Sequence, residues 1–280
     1  MNTAGKDMKT LYVTDLDGTL LNSKNELSDY TVKTLNELID RGMCFSYATA
    51  RSLSSASIVT KGLTKNIPVI VYNGTSIINP NTKEKLFSLS FSEPQKCRII
   101  ETLNGYSVNP LIYGFIDGEE KVSWLRGTEN AGMTTYIHSR QGDPRLRPVE
   151  SLEELYRGDL FYVTCIGEQD ELQSLYQYFS QMSEYTCTFQ QELYRTEYWF
   201  EMMPEKATKG NAILVLKEKL GCEKIVSFGD AINDIPMFHI SDESYAVENA
   251  VDALKQYATG IIPSNDRDGV AHWLSEHYTL

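Results

Sequence analysis

From the start of the chain to about residue 80, short apolar runs alternate with amphipathic stretches. Leu11-Tyr12-Val13 is a strand-like run that stops at a polar loop, Thr14 to Gly18. Ser28 then reads as the N-cap of a helix whose apolar positions Val32, Leu35, Leu38 and Ile39 end at Gly42. Met43 to Ala48 reads as a second strand, a polar helix follows Arg51, and the run Val69-Ile70-Val71 stops at Asn73-Gly74. The C-terminal part resumes this alternation. Thr208 to Leu220 predicts a helix closed by Gly221, Lys224 to Phe228 a strand, Pro236 to Ile240 a helical turn and Tyr245 to Val247 another strand. Buried strands this short, separated by helices, predict a parallel sheet covered on both faces.

The middle, residues 82–203, has another texture. Longer alternating strands, Leu111 to Ile116 and Leu160 to Ile166, precede an amphipathic helix near Glu171 to Met182. This stretch is less than half of the 280 residues yet holds 19 of the 30 aromatics. An interruption of this kind predicts an inserted domain. The fold class expected is α/β: a doubly wound, Rossmann-like parallel core from residues 1–81 and 204–280, with an α+β insert at 82–203.

Charge narrows the function. Lys and Arg number 26 against 38 Asp and Glu, a net charge of −12. A surface this acidic repels nucleic-acid backbones and anionic lipid, so neither partner is expected. An anionic substrate would need a local cation or a metal. No apolar run approaches the ~18–20 residues of a membrane span, and MNTAGKDMKT lacks the apolar core of a leader. A soluble, cytoplasmic protein is expected. Cys44, Cys97, Cys165, Cys187 and Cys222 are scattered without a C-x-x-C and read as buried or half-buried free thiols. No histidine neighbours a plausible nucleophile, so the chemistry must run on carboxylates, lysine and hydroxyls.

Four segments carry that chemistry. Asp15-Leu16-Asp17-Gly18-Thr19-Leu20 directly follows the first strand, where ligand sites of open α/β sheets lie. Its two aspartates stand at i and i+2, a spacing that near a strand end points both side chains the same way. An Asp-rich turn capping a helix is the plainer alternative. Gly229-Asp230-Ala231-Ile232-Asn233-Asp234 follows a second buried strand. If both strands are central, Asp15, Asp17, Asp230 and Asp234 converge, and four carboxylates together demand a cation. Oxygen-only ligands select a hard ion, with Mg2+ the default beside phosphate. Asp234 alone would also serve as a cap for the turn at Pro236. Lys209 stands at a helix N-terminus, where the dipole disfavours a cation unless an anion is bound there. It is favoured over Lys206, which follows Pro204 in an expected loop. Ala48-Thr49-Ala50-Arg51 closes the second strand with a hydroxyl and backbone N–H groups that suit phosphate oxygens, although a Thr at a helix start reads most commonly as an N-cap.

In this order the segments resemble the haloacid dehalogenase superfamily of phosphatases, and within it the Cof-like subfamily with a type IIB α/β cap. The resemblance covers almost the whole chain. It runs through D-L-D-G-T-L at 15–20, A-T-A-R at 48–51, N-G at 73–74, T-K-G at 208–210, G-D-x-x-N-D at 229–234 and E-N-A at 248–250, and a tail from Ser264 to Ala271. It implies that Asp15 is the nucleophile that forms an aspartyl phosphate and that Asp17 is the general acid and base. Thr49 and Lys209 would hold the phosphoryl group. Mg2+ would be bound by the Asp15 carboxylate, the Asp17 backbone carbonyl and Asp230. Asp234, Asn233, Asn73 and Arg51 would support the site. The subfamily usually has Gly where Ala50 stands. The insert would be the cap, with Tyr113, Phe115, Trp124, Tyr198 and Trp199 either stacking on a ring or, as strand aromatics usually do, packing its own core.

The function implied is Mg2+-dependent hydrolysis of a small phosphomonoester, a sugar phosphate before others, by a monomer or small homo-oligomer. A phosphomutase of the same superfamily is one alternative. A catalytically silent module that senses a phosphometabolite is another, although it would not require an acid–base group at Asp17. A receiver domain fails on size and on the insert.

Overall fold

The computed structural model describes residues 9–191 and 196–278. The N-terminal segment read for a leader lies outside these residues, apart from Lys9 and Thr10. The chain forms two units, one of residues up to Ser88 together with those from Thr208 onward, the other Leu89–Ala207.

In the first unit the chain opens with β1 (Thr10–Thr14), α1 (Asp29–Asp40), β2 (Cys44–Tyr47), α2 (Leu53–Val59), β3 (Val69–Val71), β4 (Ser76–Ile78) and β5 (Lys85–Ser88). The second unit consists of α3 (Glu93–Tyr106), β6 (Leu111–Ile116), β7 (Glu119–Leu125), α4 (Ala131–His138), β8 (Leu146–Val149), α5 (Leu152–Leu155), β9 (Asp159–Gly167), α6 (Gln169–Ser180), β10 (Tyr185–Gln191) and β11 (Tyr198–Pro204). The chain then returns to the first unit through α7 (Lys209–Leu220), β12 (Lys224–Gly229), α8 (Ile235–Ile240), β13 (Glu243–Val247), α9 (Asp252–Lys255), β14 (Gly260–Ile262) and α10 (Gly269–His277).

The core sheet is all parallel, in the order β14-β13-β12-β1-β2. From β1 the chain moves one way to β2, whereas β12, β13 and β14 build in the other direction. The switch point therefore falls between β1 and β12, where Thr14 pairs with Phe228. Leu11, Val13, Ile225 and Phe228 are buried there. Helix starts follow the local chemistry: the side chains of Ser28, Ser52 and Thr208 each accept an N–H from the first turn of α1, α2 and α7. Gly221, at φ 63, closes α7.

One expectation from the apolar pattern is corrected. Val69–Val71 does not extend the parallel sheet; it joins it through a single parallel bridge, Ala48 to Ile70, and pairs in the antiparallel sheet β3-β4-β5. A three-residue apolar run suits either environment, and the hairpin at Asn73-Gly74 decides it.

The inserted unit is a six-stranded mixed sheet, β10-β11-β9-β6-β7-β8, parallel only between β7 and β8. Its core joins Ile112, Val163, Cys165, Phe200 and Met202 of the sheet to Ile99 and Leu103 of α3 and to Leu172, Leu175 and Phe179 of α6. The aromatics singled out from the sequence contact rings or polar groups of this unit. Tyr113 and Phe115 meet Phe161, Tyr198 meets Phe189, Trp199 meets Tyr136, and the Trp124 indole donates to Glu129. Cys97 is exposed on α3, unlike the buried thiols expected, because it lies on the solvent side of an amphipathic helix. Among the described residues no helix is long and apolar enough to cross a membrane.

Candidate active site

Asp15 is the first residue past β1, and its N–H donates to the Phe228 carbonyl of β12, which places it on the switch point. Its carboxylate is buried, and Oδ1 accepts from Lys209 Nζ at 2.5 Å. The same ammonium donates to Asp234 Oδ1 at 2.7 Å. The other oxygen of Asp234 accepts the N–H groups of Asp230 and Ala231 at 2.9 and 3.0 Å. Asp234 is thus fully committed as a bracket between Lys209 and the loop after β12. It does not cap α8, the role its position before Pro236 also suggested.

Lys209 is 1% exposed at the start of α7, whereas Lys206 is 74% exposed and pairs with its neighbour Glu205. Two glycines let these loops close. A Cβ on Gly18 (φ +77) would lie 2.4 Å from Asp230 Oδ2, and one on Gly74 (φ +97) would lie 2.1 Å from the Thr208 carbonyl oxygen. Asp230 is held by Thr19, whose hydroxyl donates to Oδ1 at 2.7 Å.

Asp17 departs from the expected convergence. The turn after β1 breaks the strand at Leu16, which is helical between the extended Asp15 and Asp17, so strand alternation no longer aims the Asp17 side chain. Its carboxylate, 44% exposed, instead receives a bidentate pair from Arg51: Nε to Oδ2 at 2.7 Å and Nη2 to Oδ1 at 2.5 Å. Asp15, Asp230 and Asp234 are the carboxylates brought together, each with an oxygen within 4.8 Å of the others.

Thr49 is buried, and its hydroxyl accepts the Arg51 N–H at 3.1 Å. Ala50 lies outside the left-handed region, so its methyl costs no backbone strain there. Asn73, at φ 53, donates its N–H to the Thr49 carbonyl, and its Oδ1 accepts from Asn233 Nδ2 at 3.1 Å. These two asparagines link the loops after β3 and β12. The sequence reading gave no role to Thr19 or to Asn249, whose Nδ2 donates to the Gly18 carbonyl at 2.7 Å. Both stand inside quoted motifs, but nothing local identifies a partner more than 200 residues away.

Electrostatics follow from burial. It pushes the Asp15 carboxyl well above the ordinary carboxylate range; Lys209 pulls it back, and Asp234 and Asp230 add to the rise. Burial, with Asp234 beside it, pushes Asp230 up to about 6. Burial also disfavours the Lys209 ammonium, but Asp15 and Asp234 outweigh it and hold its pKa above the ordinary lysine range. Asp15 and Asp234 share one ammonium, and the half-buried Asp230 stands beside them, a deficit of positive charge that a divalent cation would fill. The oxygen-only donors suit a hard ion.

A family model described as haloacid dehalogenase-like hydrolase matches residues 12–274. A 5-amino-6-(5-phospho-D-ribitylamino)uracil phosphatase of Bacillus subtilis is 25% identical, the match covering 94% of this chain and 96% of that protein. A pyridoxal phosphate phosphatase of Escherichia coli is 26% identical, with the same coverage of each. The solved structure of a sugar phosphatase of subclass IIB in this superfamily superposes with a TM-score of 0.73 at 18% identity, covering 96% of this chain and 98% of that one, a likeness of fold.

Proposed function

Since the chain belongs to the haloacid dehalogenase-like hydrolases and is a phosphatase of that family, we propose that it hydrolyses small phosphomonoesters in two steps, with Asp15 as nucleophile and Asp17 as acid and base. The observation that carries this reading is the Asp15 carboxylate, buried at the switch point with the Lys209 ammonium 2.5 Å away. An Asp15 oxygen attacks phosphorus, the ester P–O bond breaks, and Asp17 gives a proton to the departing oxygen. Asp17, now a carboxylate, takes a proton from the water that attacks the phosphoaspartate. The Asp15–phosphorus bond then breaks, releasing inorganic phosphate and restoring both aspartates. Lys209 offsets the repulsion between carboxylate and phosphate. The Thr49 hydroxyl, which accepts from Arg51, keeps its own proton to donate to a phosphoryl oxygen.

Mg2+ is the cation proposed, held by the Asp15 carboxylate, the Asp17 backbone carbonyl and Asp230. When bound it would neutralise charge on the phosphoryl oxygens. Asp234 keeps Lys209 and the Asp230 loop in place, and Asn73 and Asn233 brace the neighbouring loops.

The substrate class proposed is a small phosphorylated metabolite, sugar phosphates first. Relatives that act on a phosphoribitylaminouracil and on pyridoxal phosphate support small phosphomonoesters. The insert is proposed as the cap that reads the organic part. The test is rapid-quench mass spectrometry of Asp17→Asn with p-nitrophenyl phosphate, a leaving group that needs little protonation. A phosphoryl adduct should appear on the peptide containing Asp15. Turnover without adduct would replace the covalent route by direct attack of water.

A further inference from the structure

We propose that Arg51 is a positioning residue for the acid–base group: its guanidinium fixes the orientation from which Asp17 exchanges a proton with the leaving oxygen and with water. The proposal rests on the reading of Asp17 given above.

Asp17 sits on a turn with its side chain 44% exposed. What holds its carboxylate is the fork of Arg51, one N–H to each oxygen. Each oxygen keeps a second lone pair directed away from the fork, and that is where the transferred proton is carried. Arg51 is anchored in turn. Its N–H donates to Thr49 Oγ1 at 3.1 Å, its carbonyl accepts the Tyr72 N–H at 3.1 Å, and Nη1 donates to Ser55 Oγ on α2 at 3.1 Å. The clamp therefore ties the β1 loop to the β2–α2 corner and brings the rigidity of one to the other. Proton transfer needs a heavy-atom approach within hydrogen-bond reach, so a wandering carboxylate forfeits much of the gain from acid–base catalysis. A lysine would keep the charge but lose the fork.

The test compares Arg51→Gln and Arg51→Lys with the parent on ribose 5-phosphate, an alkyl ester, and on p-nitrophenyl phosphate. Each substitution is also placed on Asp17→Asn. With acid–base help worth roughly 10²–10⁴-fold, losing its orientation should lower kcat on ribose 5-phosphate about 10- to 100-fold. On the same scale the pre-steady-state burst of p-nitrophenol, which reports attack by Asp15 alone, should keep its rate within about 3-fold. In the Asp17→Asn background either Arg51 substitution should change nothing further. A p-nitrophenol burst slowed as much as turnover of ribose 5-phosphate, an effect on KM alone, or the same loss in the Asp17→Asn background would overturn this proposal while leaving the acid role of Asp17 standing. If Asp17→Asn itself spares alkyl esters, the acid role falls and this proposal with it. Should Arg51→Gln fail to fold, Arg51→Lys carries the same comparison.

Discussion

Lys209 breaks two local rules at once: a cation in the first turn of a helix, and a charged side chain 1% exposed. Both violations are relieved by the same two contacts, to Asp15 and Asp234. Lys209→Ala should therefore act twice. Removing one member of a buried charge cluster costs about 3–5 kcal/mol, and kcat should fall on every substrate because the ammonium that offsets charge beside the nucleophile is gone. Lys206→Ala should stay within roughly ±0.5 kcal/mol, as exposed substitutions do, with kcat unchanged. Denaturant melts and initial rates on the two variants check this, and a silent Lys209→Ala would remove the lysine from the site. The violation itself made Lys209 legible in the sequence, since a residue that offends its local surroundings points to a partner elsewhere. Asp17 was less legible. Its i, i+2 spacing from Asp15 suggested a shared direction, but the turn that begins at Leu16 breaks the strand alternation, and the Asp17 carboxylate meets Arg51 instead.

At the scale of elements, N-caps and C-caps were readable because each depends on a few adjacent residues: Ser28, Thr208 and Gly221 do what their types favour. The run Val69–Val71 was not, since its pairing is decided by a hairpin partner rather than by its own pattern. The tail was visible as a motif without a role, and the structure supplies one. Asp268, at φ 52, accepts from Ser28 Oγ at 2.6 Å and from Thr31 Oγ1 at 2.9 Å, which puts a carboxylate at the N-terminus of α1. Asp266 and Asn265 tie Ser23 and Leu21 to the same corner. The tail thus staples the segment that links the nucleophile loop to α1. Asp268→Ala loses two hydrogen bonds to a charged acceptor and a side chain that tolerates the left-handed region, a cost of about 2–3 kcal/mol. Asp268→Asn retains an acceptor and the backbone tolerance and should recover more than half of that. Chemical denaturation of the pair separates the staple from a surface role, for which the two would be alike.

For the whole molecule, the division into two units confines the charge problem to one of them. Asp15, Asp230 and Asp234 all belong to the unit built on the parallel sheet, although up to 219 positions separate them in the chain. Folding gathers these carboxylates at the ends of β1 and β12, and burial lifts the pKa values of Asp15 and Asp230, so the metal-free fold carries repulsion that a divalent ion relieves. An ion that binds only the folded chain stabilises it by about 2.7 kcal/mol at one hundred times its dissociation constant. Added Mg2+ should therefore raise the melting temperature. Hydrogen exchange should slow in peptides covering Thr10–Leu21 and Lys224–Asp234, and it should not change in the sheet strands Leu111–Ile116 and Asp159–Gly167. Asp230→Asn should abolish both effects. Asp17→Asn should preserve them, because the ligand assigned to Asp17 is its backbone carbonyl and its carboxylate is occupied by Arg51. An undiminished Mg2+ response in Asp230→Asn would move the cation elsewhere. A response lost in Asp17→Asn would mean that its carboxylate leaves the Arg51 fork to bind the ion, and the division of labour between the two aspartates would have to be redrawn.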